Sequence, residues 1–309
     1  MEFAYDPPAA EQSEEIMAWL LRSPVPSGST CWALLDAALV DAGDLERLKK
    51  RWNGRVHRAL DGSSLTAFGK SGPHLFEISP GEPTVAADIA ALMRRTGSVP
   101  ALSWLRTHVP ATELQRLCAY LAKIRIEQRK SPLHCRFSDT RVLPELLKVL
   151  SAVQIQRVSS CISQWAWNGR LGQLEEWQAE NAGGPLDDGQ SLVISIEQFR
   201  SMQEAAEPDA MFMLLTQKAP ELVPDVRRGE FHGRLEKGLG LASQLQVDGV
   251  TDRLQFLILY LSNGEDFHRL PELDSTWAAL RVPGAPGLTA LMKQWPDSAW
   301  EALEAGRVG

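Results

Sequence analysis

"ALSWLRTHVPATELQRLCAYL" occupies residues 101–121. Its first nine residues, 101–109, read as a strand that Pro110 closes. Thr112 with Gln115 three residues later has the spacing of a capping box. It opens a helix whose Leu114, Leu117, Cys118 and Leu121 share one face. "LHCRF" (133–137) then returns as a strand. Strand, helix and strand in this order predict a βαβ unit, with a right-handed crossover and a parallel strand pair.

Working outward toward the N-terminus, "CWALLDAAL" (31–39) reads as a strand buried on both faces. "QSEEIMAWLLR" (12–22) sets Ile16, Trp19 and Leu20 on one helical face, and "PVPSGST" (24–30) breaks the chain after it. A helix is expected over 44–52, strands over 64–68 and 74–79 around a turn at Lys70–Pro73, and a helix over 85–95. Toward the C-terminus, "QWAWNGRLGQLEEW" (164–177) predicts a hairpin with a type I′ turn at Asn168-Gly169, where both residues need positive φ. Trp165 and Trp167, two apart, then face the same side.

"NAGGPLDDGQ" (181–190) is a turn-rich linker, and the character beyond it is helical. Ser195 with Gln198 is a second capping box, and Pro208 suits the first turn of a further helix. Helices follow over about 225–245 and over 249–263, the latter ended by Gly264, with one or two more around Pro296. The expected architecture is an α/β N-terminal lobe, with a mixed sheet that includes the βαβ unit, followed by an all-α C-terminal lobe. Its boundaries are a helix and linker at 1–30, an α/β domain at 31–180 and a helical lobe at 191–309.

Composition narrows the function. Hydrophobic residues make up 44% and charged residues 23% of the 309, as in an ordinary core-forming protein. A net charge of −7 and a pI near 5.5 lack the basic field that tracks phosphates, so no nucleic-acid partner is expected. The longest apolar run, "LQFLILYL" (254–261), is too short to span a bilayer, and the acidic N-terminus lacks the pattern of a secretory signal. The expectation is a cytoplasmic protein with no membrane partner.

Motifs that carry chemistry are scarce. "GKSG" (69–72) has Ser64 where a phosphate loop needs its first glycine, and Gly72-Pro73 follows where the loop needs a helix. The glycines of "GEFHGRLEKGLG" (229–240) follow no strand and lack dinucleotide spacing. Cys31, Cys118, Cys135 and Cys161 form no CxxC pair, which argues against structural zinc and a disulfide framework. No cofactor and no metal is expected. A Cys118–His134 dyad is conceivable, but core packing is the favoured reading. Glu175–Glu176 and Asp187–Asp188 lie in solvated, turn-like stretches unsuited to a shared proton.

The remaining cluster is Arg136, Asp139 and Arg141 within "HCRFSDTRVL" (134–143). Asp139 falls just past the strand end, where it can cap a helix starting near Val142 or be clamped by a guanidinium. A catalytic role at this strand end, on a small anionic substrate, is the alternative. Arginine is no general base and no nucleophile is close in sequence, so the structural reading is favoured.

"FSDTRVL" (137–143) resembles the phenylalanine–x–aspartate–x–arginine–valine–leucine signature of the bacterial type VI secretion adaptor chaperones. In that reading Arg136, Phe137, Asp139 and Arg141 are the family motif. The order of the surrounding segments matches too: "WALLDAA" (32–38), "SWLRT" (103–107), a helix, the signature, "LLKVLSAVQIQRV" (146–158) and the tryptophan-bearing hairpin. "GVTDRLQFLILYLSNGEDF" (249–267) is similar to a recurrent segment of the family's helical half. Ser138 and Thr140 stand where the family pattern has an aromatic and a proline.

The resemblance implies a non-enzymatic adaptor that binds a cognate secreted effector and loads it onto the spike-tip (VgrG-type) protein. An immunity protein that neutralises a toxin is a further alternative. Partner binding calls for exposed aromatic surface, and Trp277, Trp295 and Trp300 near the proline-broken C-terminus are the candidates.

Overall fold

The computed structural model describes residues 2–22, 29–97, 99–180 and 191–306. The chain forms two compact units, Tyr5–Ala205 and a second made of Ala206–Gly309 with Met1–Ala4. The linker read at 181–190 lies outside the described residues.

The first unit holds helices α1 (Gln12–Leu21), α2 (Ala42–Trp52), α3 (Val85–Thr96), α4 (Ala111–Ala122), α5 (Leu143–Val149) and α6 (Ala152–Ser159). Its strands are β1 (Thr30–Leu35), β2 (Val56–Arg58), β3 (His74–Ile78), β4 (Leu102–Thr107), β5 (Lys123–Ile126), β6 (Leu133–His134), β7 (Ile162–Asn168), β8 (Leu174–Gln178) and β9 (Leu192–Ile194). Six strands make an antiparallel sheet in the order β2-β3-β1-β4-β7-β8. A small mixed sheet has the order β6-β5-β9, with β5 and β9 parallel.

β1 sits at the centre of the large sheet, where Ala33 lies between Phe76 and Trp104. Its alternate residues feed two cores. Trp32 and Leu34 join Leu105, Trp165 and Trp167 beneath α4 and α5. Cys31, Ala33 and Leu35 join Phe76 and Trp104 beneath α1, α2 and α3. With helices over both faces, every inward position must be apolar, which is why the strand reads as a continuous apolar run.

The expected fold class therefore stands, with the parallel pair placed elsewhere. Both edges of β4 are occupied by β1 and β7, so 101–109 has no free edge for 133–137. The parallel pair is β5 with β9, and α5 and α6 lie in the chain between them. Residues 64–68 are not a strand. Thr66–Ser71 forms 3₁₀ turns, and the Ser63 and Thr66 hydroxyls donate to Leu60 O just before the segment. These local side-chain bonds compete with a strand ladder, and β2 becomes the hairpin partner of β3.

The β7–β8 hairpin forms, but its loop is Gly169–Gln173, closed by Gly169 N donating to Gln173 O at 2.7 Å. Gly172, not Asn168-Gly169, takes the left-handed conformation at φ 79°. A Cβ there would lie 2.5 Å from Pro7 O, so the position demands glycine. Trp165 and Trp167 do face one core together. The capping box at Thr112 does not form, because Pro110 holds the N-cap and Gln115 donates to Arg58 O.

α7 (Ile196–Lys218) contains the division between the units. Ser195 and Gln198 exchange both capping-box bonds at its start. Pro208 does not start a new helix but sits inside this one, since the residues on both sides are strong helix formers and proline removes a single i→i−4 bond. The second unit continues with α8 (Arg228–Gln244), α9 (Val250–Asn263), α10 (Asp274–Leu280), α11 (Leu288–Met292) and α12 (Asp297–Gly306). Its cores are a cluster around Phe212, Phe231 and Leu257 and another around Phe256, Phe267 and Trp277.

Candidate functional site

β1 ends at Leu35 and delivers Asp36 to the sheet margin, where its N–H donates to Ala101 O at 2.8 Å. Asp36 Oδ1 accepts from Ala38 N at 3.1 Å and so caps the 3₁₀ turn Ala37–Leu39. The chain between β6 and α5 crosses the same margin, tied down by Thr140 N donating to Pro100 O at 2.9 Å. Sequence positions near 36, 100 and 140 thus meet at one corner.

Two ion pairs lie at that corner, one closing a turn and one bridging to the end of β1. Asp139 accepts from the Arg141 guanidinium with both oxygens, at 3.0 Å from Nε and 2.7 Å from Nη2. Its Oδ1 also accepts from Arg141 N at 3.0 Å. The planar fork matches the carboxylate, and the two-residue spacing lets the backbone turn close the same ring. The Asp139 side chain is 2% exposed and that of Arg141 16%. Arg136 does not reach this pair. Its Nη2 donates to Asp36 Oδ2 at 3.0 Å, and Ser138 Oγ donates to the same oxygen at 3.1 Å.

The sequence grouped Arg136, Asp139 and Arg141 in one cluster, and the structure divides them between two ion pairs. Asp139 clamps Arg141 as expected, while α5 takes Val142 as an N-cap without a side-chain bond, so Asp139 does not cap it. Asp139 O accepts from Val142 N and Leu143 N instead. The missed residue is Asp36. Its signal was an acid directly after the central apolar run "WALL", a place where burial demands a partner.

Phe137 anchors the corner. It is buried in the core shared by α4 and α5, with its ring 6.4 Å from Trp165 at 72°. Phe137 thus points into the core while the charges flanking it line the margin.

Residues 31–157 match the model of a family described as Domain of unknown function (DUF4123). The family is associated with type VI secretion effector adaptors. The DUF4123 segment starts at β1 and ends inside α6, so it contains Asp36, Arg136, Asp139 and Arg141. No curated protein and no solved structure gives a significant match to the chain.

Burial pushes up the thiols of Cys118 and Cys135, the latter to about 12, which keeps them protonated at neutral pH. Burial also lowers the His134 pKa, and its ring stacks on Phe68 with centroids 4.3 Å apart. Among the described residues no group of three or more His, Cys, Asp or Glu is placed to hold a metal ion. Among the described residues no helix is long and apolar enough to cross a membrane.

The three tryptophans of the helical unit fall in different settings. Trp277 is buried, with Nε1 donating to His268 O at 2.8 Å, so the exposure expected of it is absent. The apolar faces of Phe256 and Phe267 close around its ring. Trp295 is half-buried and donates to Thr276 Oγ1, while Trp300 is exposed and lies 5.0 Å from Trp295 between ring centroids.

Proposed function

We propose that the chain is a cytoplasmic adaptor chaperone that binds a cognate type VI secretion effector, loads it onto the spike-tip protein, and catalyses no reaction. The observation that carries this reading is the family match over 31–157, which spans the whole ion-paired corner. The corner's geometry supports a structural role for the signature. The carboxylate best placed for chemistry, Asp139, is buried, and both of its oxygens already accept from Arg141. A general base must reach a substrate proton, and a carboxylate held in this way is poorly disposed to do so.

In this reading the two ion pairs fix the path of the chain between β6 and α5. The Arg136–Asp36 pair and the Thr140 N–Pro100 O bond hold that segment against the β1 and β4 ends, and the Asp139–Arg141 pair closes its turn, so that the surface offered to a partner is preformed. Preorganisation lowers the ordering cost of binding.

The test is secretion. Deleting the gene should abolish export of the toxin-bearing protein encoded beside it while other substrates of the apparatus still leave the cell. Export should return when the gene is supplied in trans, and the tagged chain should retain both that toxin and the spike-tip protein. Unchanged export in the deletion strain would refute the reading. Survival of cells that co-express the chain with the active toxin domain would point to an immunity protein instead.

A further inference from the structure

β8 is the last strand of the large sheet, and among the described residues no strand pairs with its outer edge. The register shows which of its groups face outward. Ala179 N donates to Ser163 O and Gly169 N to Gln173 O, so these opposed pairs are the hydrogen-bonded ones. By the alternation of an antiparallel ladder, Trp177 and Glu175 also bond to β7. Leu174, Glu176 and Gln178 then turn their N–H and C=O away from the sheet.

Bare edges of this kind are usually blunted by charged side chains. The glutamates of β8 are engaged across the sheet. Glu175 accepts from Trp167 Nε1 at 3.0 Å, and Glu176 accepts from Trp19 Nε1 at 2.8 Å and from Arg22. Beside the edge, on the face that carries Trp177, lies a cavity of about 660 Å³ with an apolar side of Leu147, Leu150, Ile155 and Trp177 and a polar side that includes Gln156 and Glu180. The edge offers backbone pairing, and the side of the cavity formed by Leu147, Leu150, Ile155 and Trp177 offers apolar burial, the two requirements of strand addition.

Charge selects the occupant. "LEEWQAE" (174–180) holds three glutamates and no lysine or arginine. A second copy pairing here would set glutamate against glutamate, which is unfavourable across a ladder. We propose that the outer edge of β8 and the cavity beside it receive an extended segment of a partner protein, whose residues toward Trp177 are apolar and whose alternate residues are basic. The basic residues match the net negative charge that Glu175, Glu176 and Glu180 keep with Arg22 as their one cationic neighbour among the ion pairs of the described residues. This deepens the adaptor reading and rests on it only for the partner's identity.

The probe is a fluorescein-labelled, capped peptide of alternating valine and lysine, seven residues long, titrated against the full chain by anisotropy. Saturable binding is expected, weakened at least tenfold when glutamate replaces lysine in the peptide. Gln178→Pro removes an outward N–H without touching the β7 ladder, and it should weaken binding at least tenfold. Gln178→Val should stay within twofold of the unaltered chain. If the proline variant does not fold, methylating alternate backbone nitrogens of the peptide makes the same test from the other side, and binding should be lost in one of the two methylation registers.

Absence of saturable binding would overturn the proposal. So would equal affinity for the glutamate peptide, binding by Gln178→Pro within twofold of the unaltered chain, or indifference to methylation in both registers. A dimer that Gln178→Pro dissolves would assign the edge to a second copy and overturn it as well. The assay contains neither toxin nor secretion apparatus, so its failure removes the docking edge and leaves the adaptor reading to the secretion experiment.

Discussion

Asp139 in the α/β unit and Arg253 in the helical unit are both largely buried charges, and they are held in different ways. Asp139 directs both oxygens at one neighbour, Arg141, two residues along the chain. Arg253 spreads its donors over Glu207, Ser243 Oγ, Val247 O and Leu239 O. Asp36 is intermediate, since it accepts from Arg136, Ser138 and Ala38 N. A charge with one main partner concentrates its stabilisation in that contact, whereas a charge with several distributes it. The matched family segment carries the concentrated arrangement, where a single substitution releases a loop.

The comparison orders the expected costs. Asp139→Ala removes the carboxylate from a guanidinium that is only 16% exposed. It should cost about 3 kcal/mol, in the range for breaking a buried pair, and lower Tm by roughly 6–10 °C. Asp36→Ala should cost less, about 1–2 kcal/mol, because Arg136 is 39% exposed and regains water. Glu207→Gln should cost least, about 1 kcal/mol or under, since glutamine still accepts one bond and Arg253 keeps its three other acceptors. Urea unfolding of the three variants checks the order. A Glu207→Gln loss as large as that of Asp139→Ala would break the comparison.

Much of this was legible in the sequence, for physical reasons that can be named. β1 was readable because it is apolar at nearly every position, and α9 because Gly264 stops the helical run Val250–Asn263. The Asp139–Arg141 pair was readable because both partners lie in one turn. Asp36 was not, because its partner Arg136 is 100 residues away and only the sheet topology brings them together. Strand pairing failed for the same reason, since nothing local in 101–109 says that β1 and β7 occupy both edges. Trp277 misled because proline and glycine around it resemble an exposed tail, while Phe256 and Phe267, up to 21 residues upstream, bury it.

Under the proposed function, Asp139 and Arg141 form a lock that holds a binding scaffold rather than a pair poised for chemistry. A double-mutant cycle of Asp139→Ala, Arg141→Ala and both together, read by urea unfolding, tests it most directly. A coupling of roughly 2 kcal/mol is expected, within the range seen for residues sharing one buried ion pair. A coupling under about 0.5 kcal/mol, the scatter expected of independent sites, would contradict the account.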